Sequence, residues 1–136
     1  MTADARVIGN LTRDIDVRQA GSTTVAKFSL AVNSKRGETE EVSYFDVVAF
    51  GDLAMNAAET LRKGDWVMVI GRLKQDRWED KETKQVRSKV KILADDVAPG
   101  LRFARAQVQR TERAERSNGH TGGGERSTSY EDEEQF

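Results

Sequence analysis

The sequence contains no cysteine, one proline and one histidine among its 136 residues. Without cysteine, the chain can form no disulfide, zinc–thiolate site or cysteine nucleophile. The histidine, His120, lies in a glycine-rich segment, and no GxGxxG, P-loop or HExxH motif is present. We therefore expect no catalytic site, no metal and no cofactor.

Long hydrophobic runs are also missing, because no apolar stretch approaches the roughly 20 residues that span a bilayer. The segment MTADARVIGN at the start lacks the pattern of a signal peptide. Hydrophobic residues make up 37% of the chain, which is enough for one small core. The expectation is a soluble, cytoplasmic protein with a single folded domain.

Charge is distributed unevenly, although the formal net charge is only −1. Residues 1–110 carry 19 Lys and Arg against 16 Asp and Glu, whereas residues 111–136 carry 3 against 7. The second segment is rich in Gly, Ser and Thr, so it cannot bury enough apolar surface to offset the entropy of ordering. We predict a folded domain at 1–110, a disordered linker at 111–130 and an acidic tip at 131–136.

Period-two alternation predicts strands along most of residues 1–110. TVAKFSLAV, SYFDVVAF and VRSKVKIL alternate clearly, and Gly71 within DWVMVIGRL predicts a bulge or bend. Asp52–Lys63 instead has apolar residues at helical spacing, with Gly64 as its expected C-cap. Three strands, one short helix and two strands predict a mainly β chain with the OB-fold, a five-stranded Greek-key barrel.

Three aromatic residues share strand parity with basic residues. Tyr44 and Phe50 fall on one face of the strand before the helix, and Trp78 lies on the strand after it. The basic residues that alternate with the same period are Arg72, Lys74, Arg87, Lys89 and Lys91. An aromatic ring can stack on any nucleic-acid base, and neighbouring cations attract phosphates. One face of the barrel is thus a candidate surface for single-stranded nucleic acid.

Each of these residues also has a structural interpretation. Phe50 fits a core position, Tyr44 a half-buried ring with a solvated hydroxyl, and Trp78 a packing residue of its hairpin. Trp66, at the start of the strand after the helix, fits packing or an interface better than stacking. Alternating Lys and Arg residues are also typical of the solvated face of an antiparallel sheet.

Several segments resemble the bacterial single-stranded DNA-binding proteins. GNLTRDIDVR is similar to the first-strand signature of that family, and VAKFSLAVN is similar to its second strand. VVAFGDLAMNAAETLRKGDWVMVIGRL fits the family pattern VVxFGxLAxxxxxxLxKGxxVxxxGxL, which spans the third strand, the helix and the fourth strand. The resemblance covers residues 3–108 and extends to the tail, which ends in acids and Phe136.

This resemblance implies an OB-fold that stacks bases of single-stranded DNA on Tyr44, Phe50 and Trp78. Tyr44 stands where the family commonly has tryptophan, Arg36 lies near the position of a loop tryptophan, and Phe45 replaces a histidine of the subunit interface. The other residues expected to bind DNA are basic: Lys35, Arg36, Arg72, Lys74, Arg77, Arg87, Lys89 and Lys91.

The resemblance also implies a homotetramer and a tail that docks partner proteins. DVAPGLRFARAQVQR is similar to an extension that clamps dimers together in some members. The tip EDEEQF keeps the acids and the terminal phenylalanine of the family but lacks its usual proline. DNA-replication and repair proteins are the expected partners of this tip, through Glu131, Asp132, Glu133, Glu134 and Phe136.

The predicted function is sequence-independent binding and protection of single-stranded DNA during replication, recombination and repair, in the cytoplasm at the nucleoid. One alternative is an OB-fold protein-interaction or replication-restart subunit with weak DNA binding, because the loop aromatic is missing. Another is an RNA-binding OB protein, since stacking and phosphate contacts do not by themselves separate RNA from DNA.

Overall fold

The computed structural model describes residues 1–111, and within that range it contains strands and one short helix. In chain order the elements are β1 (Asp4–Leu11), β2 (Asp16–Ala20), β3 (Thr23–Arg36), β4 (Thr39–Phe50), α1 (Gly51–Thr60), β5 (Trp66–Glu79) and β6 (Val86–Pro99). Met1–Arg105 form a compact unit. No helix in the described range is long and apolar enough to cross a membrane.

Five of the strands close a barrel. The hydrogen-bonded order β1-β5-β6-β4-β3 returns to β1 through a short β1–β3 pairing. Most pairs are antiparallel, but β4 and β6 run parallel where Val47 faces Ile92. The helix α1 lies between the third and fourth barrel strands in chain order. The predicted OB-fold is therefore confirmed.

The segment before the helix forms four strands, where the sequence predicted three. The barrel strand β1 ends at Leu11, and the additional strand β2 begins at Asp16 and pairs with the first residues of β3. At the break, the backbone N–H and the hydroxyl of Thr12 both donate to the carbonyl oxygen of Ser29, at 3.1 and 3.2 Å. These two bonds continue the register of β1 on β3 by one residue, but Asp16 then pairs with Lys27 and not with Val25, so a two-residue change of register separates β1 from β2.

Inward-facing side chains of the barrel strands fill one small aliphatic core. Its largest fully buried members are Leu11, Leu30, Leu61, Ile92, Val47, Val67 and Val69. Burying one such side chain stabilises the fold by about 1.5–3 kcal/mol. Because successive side chains of a strand point to opposite faces, fixing these residues inside fixes their neighbours outside.

The helix α1 ends at Thr60, so the predicted end at Lys63 and the predicted C-cap at Gly64 are wrong. Leu61 is the actual cap residue and has an extended backbone, with φ −101° and ψ 143°. Its side chain is one of the fully buried members of the core. Burial of Leu61 from an extended backbone therefore decides where the helix stops.

Gly64 has another role, because its φ of +91° reverses the chain before β5. Its N–H donates to the carbonyl oxygen of Leu11 at 2.7 Å, which joins this turn to the end of β1. In the same turn, the Asp65 carboxylate accepts from the N–H of Arg62 at 2.7 Å. Residues 61–65 thus form a turn in place of the predicted last turn of the helix.

Gly71 lies at a bulge, as the sequence predicted. Ile70 pairs with Asp96 whereas Gly71 pairs with Ala94, so Asp95 has no opposite residue on β5. A Cβ atom at position 71 would overlap the backbone oxygen of Leu93. Beyond Gly71, β5 has no buried residue, although its pairing with β6 continues to Glu79. The β5–β6 hairpin therefore projects past the core.

Candidate nucleic-acid interface

The outward side chains of β3, β4, β5 and β6 form one continuous surface, here called the outer face. The core determines which alternate side chains lie on this face, because Val47 of β4 and Ile92 of β6 are buried on the opposite side. Strand pairing then places Tyr44 opposite Ala31, Phe50 opposite Val25, and Trp78 opposite Arg87. All three predicted stacking residues consequently lie on the outer face.

The three rings are accessible. Tyr44 is 67% exposed, Phe50 49% and Trp78 47%. Phe50 is therefore not a core residue, although it also forms the N-cap position of α1. Rings that are exposed on one face of a sheet are available for contact with a partner. Each ring offers a surface on which a flat partner can stack.

Trp66 behaves differently and packs against its own chain, as the sequence indicated. Its ring meets Phe103 edge to face, with centroids 5.5 Å apart and planes at 75°. The N–H of Gly100 donates to its carbonyl oxygen at 2.7 Å, and a Cβ at position 100 would overlap the indole. Trp66 thus anchors residues 100–103 to the start of β5.

Several predicted cations on the outer face are ion-paired with aspartates. The pairs are Lys89–Asp46 at 2.6 Å, Lys91–Asp76 at 2.9 Å, Arg87–Asp80 at 3.0 Å and Arg72–Asp95 at 3.4 Å. Hydrogen bonding to Lys91 is the main cause that holds the pKa of Asp76 below its ordinary value of 3.8. Lys74 lowers the same pKa further through its charge. Aspartates of the same chain thus partly neutralise the positive charge of these predicted DNA-binding residues.

A groove of about 520 Å³ runs along the outer face. Its charged lining consists of four cations, Arg13, Lys27, Lys89 and Lys91, and four carboxylates, Asp14, Asp16, Asp46 and Asp76. This lining is formally neutral. Sequence reasoning had not selected Arg13 or Lys27 as site residues, although the alternation of Lys27 with buried Phe28 is a signal that could have identified it.

The β5–β6 turn holds Arg87 next to Trp78. One carboxylate oxygen of Asp80 accepts from the N–H groups of Glu82 and Thr83, at 2.9 and 3.3 Å. The other oxygen accepts from Nε of Arg87, which is the cross-strand neighbour of Trp78. These bonds, those from the two backbone N–H groups above all, lower the pKa of Asp80.

The remaining predicted residues are more scattered. Lys35 and Arg36 lie at the tip of the β3–β4 hairpin, paired in register with Glu40 and Thr39. Lys74 is on the outer face opposite Lys91. Arg77 pairs with Ser88, so it points to the opposite side of the hairpin from Trp78. The residues predicted for the acidic tip, Glu131, Asp132, Glu133, Glu134 and Phe136, lie outside the described residues.

Among residues 1–111, no group of three or more His, Cys, Asp or Glu side chains is arranged to hold an ion. Within the groove, Asp46 and Asp76 face lysines and Asp16 faces Arg18. Chemically, the outer face can stack on flat rings and attract anions.

Comparison with known proteins agrees with this geometry. A model of the single-strand binding protein family matches residues 3–99. The chain belongs to this family. A single-stranded DNA-binding protein of Paenarthrobacter aurescens is 35% identical over 126 residues, which is 87% of this chain and 73% of the relative. One from Aquifex aeolicus is 41% identical over 115 residues, 80% of this chain and 77% of the relative.

Other relatives are longer, and the chain spans 51% of the length of the Corynebacterium glutamicum single-stranded DNA-binding protein, with 38% identity over 115 residues. Among solved structures, a small single-stranded DNA-binding protein from Streptomyces coelicolor superposes with a TM-score of 0.65 at 27% identity. That match covers 74% of this chain and 96% of the other. Family and fold thus agree over the barrel.

Asp80→Ala should loosen the β5–β6 turn, because the N–H groups of Glu82 and Thr83 lose their acceptor. We expect their hydrogen exchange, followed by NMR, to accelerate by roughly an order of magnitude. Asp80→Asn is the matched control, since it keeps an oxygen for these N–H groups. Since the pKa of Asp80 is lowered, the charge-assisted bonds should be fully present above pH 3.8, and below it exchange in the native chain should approach that of Asp80→Asn. Unchanged exchange in Asp80→Ala would contradict this role.

Proposed function

We propose that this protein coats single-stranded DNA without sequence preference, stacking bases on Tyr44, Phe50 and Trp78. The observation that carries the proposal is the presence of three accessible rings on one face of an OB barrel, flanked by cations. Stacking is worth roughly 1–3 kcal/mol per base and accepts any base. A duplex has its bases stacked internally, so it cannot use these rings.

The cations supply the second part of the proposed contact. Arg13, Lys27 and Lys74 have no carboxylate within ion-pair distance among residues 1–111, so they can meet phosphates directly. The predicted residues Lys35 and Arg36 would extend the path along the β3–β4 hairpin. The protein acts by binding and not by catalysis. It would protect strands exposed during replication, recombination and repair, in the cytoplasm at the nucleoid.

Alanine substitution of the rings tests this proposal. Trp78→Ala should weaken binding to an oligo-dT by roughly 1–3 kcal/mol, and Tyr44→Ala and Phe50→Ala should act in the same direction. Fluorescence anisotropy of a labelled oligonucleotide gives the dissociation constants.

Trp66→Phe is the control for these variants and should retain wild-type affinity, because Trp66 packs on Phe103. Wild-type affinity in Trp78→Ala would remove the stacking model and favour an interaction subunit with weak DNA binding. Equal affinity for oligo-U and oligo-dT would favour the RNA-binding alternative.

We also propose a homotetramer, supported by an exposed apolar patch away from the groove. Ile8 pairs with Met68, and Ile70 follows on the same side of β5. These side chains are 37%, 40% and 50% exposed. Phe45, at the position of the family's interface histidine, is also 40% exposed. The grouping of Ile8, Met68 and Ile70 is typical of a contact with another protein.

Ile70→Glu should dissociate this assembly, because a charge on the patch would have to be buried without a partner. Light scattering coupled to gel filtration should give a mass near four chains for the native protein and a smaller mass for the variant. Met55→Glu, on the exposed side of α1, is the control and should leave the mass unchanged. A native protein that is already monomeric would contradict the proposal.

The acidic tip is proposed to recruit replication and repair proteins. Its support is chemical, since a terminal phenylalanine with adjacent carboxylates fits an apolar pocket edged by basic residues. The immobilised full chain should retain such proteins from a bacterial extract, identified by mass spectrometry. A variant that lacks residues 131–136 should lose them. Equal retention by both chains would contradict this role.

A further inference from the structure

Two lysines that line the groove are each held by an aspartate of a different strand. Lys89 and Lys91 lie on β6, which the sheet order places between β4 and β5. Asp46 of β4 holds Lys89 at 2.6 Å, and Asp76 of β5 holds Lys91 at 2.9 Å. The two aspartates thus flank the lysines from opposite sides.

Both aspartates also lie beside the stacking rings. Asp46 is two residues from Tyr44 on the outward side of β4, and Asp76 is two residues from Trp78 on the outward side of β5. Both line the groove together with the lysines that they hold. A DNA backbone that passes the rings would therefore meet carboxylates at the places where it needs cations.

The position of these carboxylates changes what a polyanion gains by binding. When a phosphate contacts an unpaired lysine, the counterions condensed on the polyanion are released, and this release favours binding. At Lys89 and Lys91 the phosphate must first displace a carboxylate that is tethered to the protein and cannot diffuse away. Side chains of Asp46 and Asp76 are 40% and 41% exposed, so water screens their charge only in part. Charge alone is therefore a weak reason for a polyanion to enter the groove.

We propose that Asp46 and Asp76 are specificity-determining residues that make the groove select single strands over other polyanions. The inference rests on the proposed function, because it assumes that single strands bind through the rings. A single strand gains stacking energy and can displace the carboxylates. A duplex or a polyphosphate offers charge without free bases, so the carboxylates keep it out.

The experiment compares Asp46→Asn, Asp76→Asn and the double variant with the native chain. Asparagine has the shape of aspartate, and both positions are partly exposed, so the fold should tolerate the change. Glu59→Gln is the matched control, because it removes one negative charge from an exposed position of α1 that does not line the groove. Each protein is titrated with oligo-dT, a duplex of equal length and inorganic polyphosphate, at several salt concentrations.

The double variant should bind the duplex and polyphosphate roughly tenfold tighter than the native chain, with a smaller gain for oligo-dT. Its preference for oligo-dT over the duplex should fall accordingly. The salt slope for oligo-dT should steepen by about 0.7 for each lysine released to a phosphate. Glu59→Gln should match the native chain in all of these measurements.

Two failures can be distinguished. If the native chain prefers oligo-dT and the double variant keeps the same preference, or binds all ligands more weakly, the specificity role is overturned and the proposed function stands. If the native chain itself binds duplex as tightly as oligo-dT, the proposed function fails and this inference fails with it.

Discussion

Side-chain alternation on strands that close a barrel is the constraint on which the candidate interface depends. Val47 and Ile92 must point inward to fill the small core, so Tyr44, Asp46, Lys89 and Lys91 must point outward. A shift of one residue in register would exchange these two sets. The same packing that stabilises the barrel therefore sets the positions of the rings and the lysines.

The proposed binding combines two interactions of different strengths on the outer face. Stacking of a base on an aromatic ring contributes roughly 1–3 kcal/mol, whereas an exposed ion pair typically contributes 0–1 kcal/mol. With four cations balanced by four carboxylates in the groove, charge contributes less than the number of lysines suggests. The rings should then decide which nucleic acid binds, and the cations should set how binding responds to salt.

The features that could be predicted from the sequence are those that depend on the order of residues within one strand. Tyr44, Phe50 and Trp78 were found on one side because parity needs only the spacing along each strand. Gly71 was found at a bulge because glycine in an apolar strand signals close approach of two backbones.

Contacts between residues far apart in the chain escaped prediction. The aspartate partners of Lys89 and Lys91 belong to neighbouring strands, so no spacing along one strand reveals them. The end of α1 depends on burial of Leu61, and the break after β1 depends on a change of pairing register on β3. For α1 and for the break after β1, contacts between residues far apart in the chain override the local preference of the segment.

The central claim is that Trp78 stacks on bases, and a titration of the Trp66→Phe variant with oligo-dT tests it most directly. Trp78 is then the single tryptophan of the chain, so intrinsic fluorescence reports only its ring. The account predicts strong quenching by saturating oligo-dT at both low and high salt, and no quenching by a duplex. Absence of quenching, or quenching that disappears with salt, would show that the outer face attracts polyanions without stacking on them.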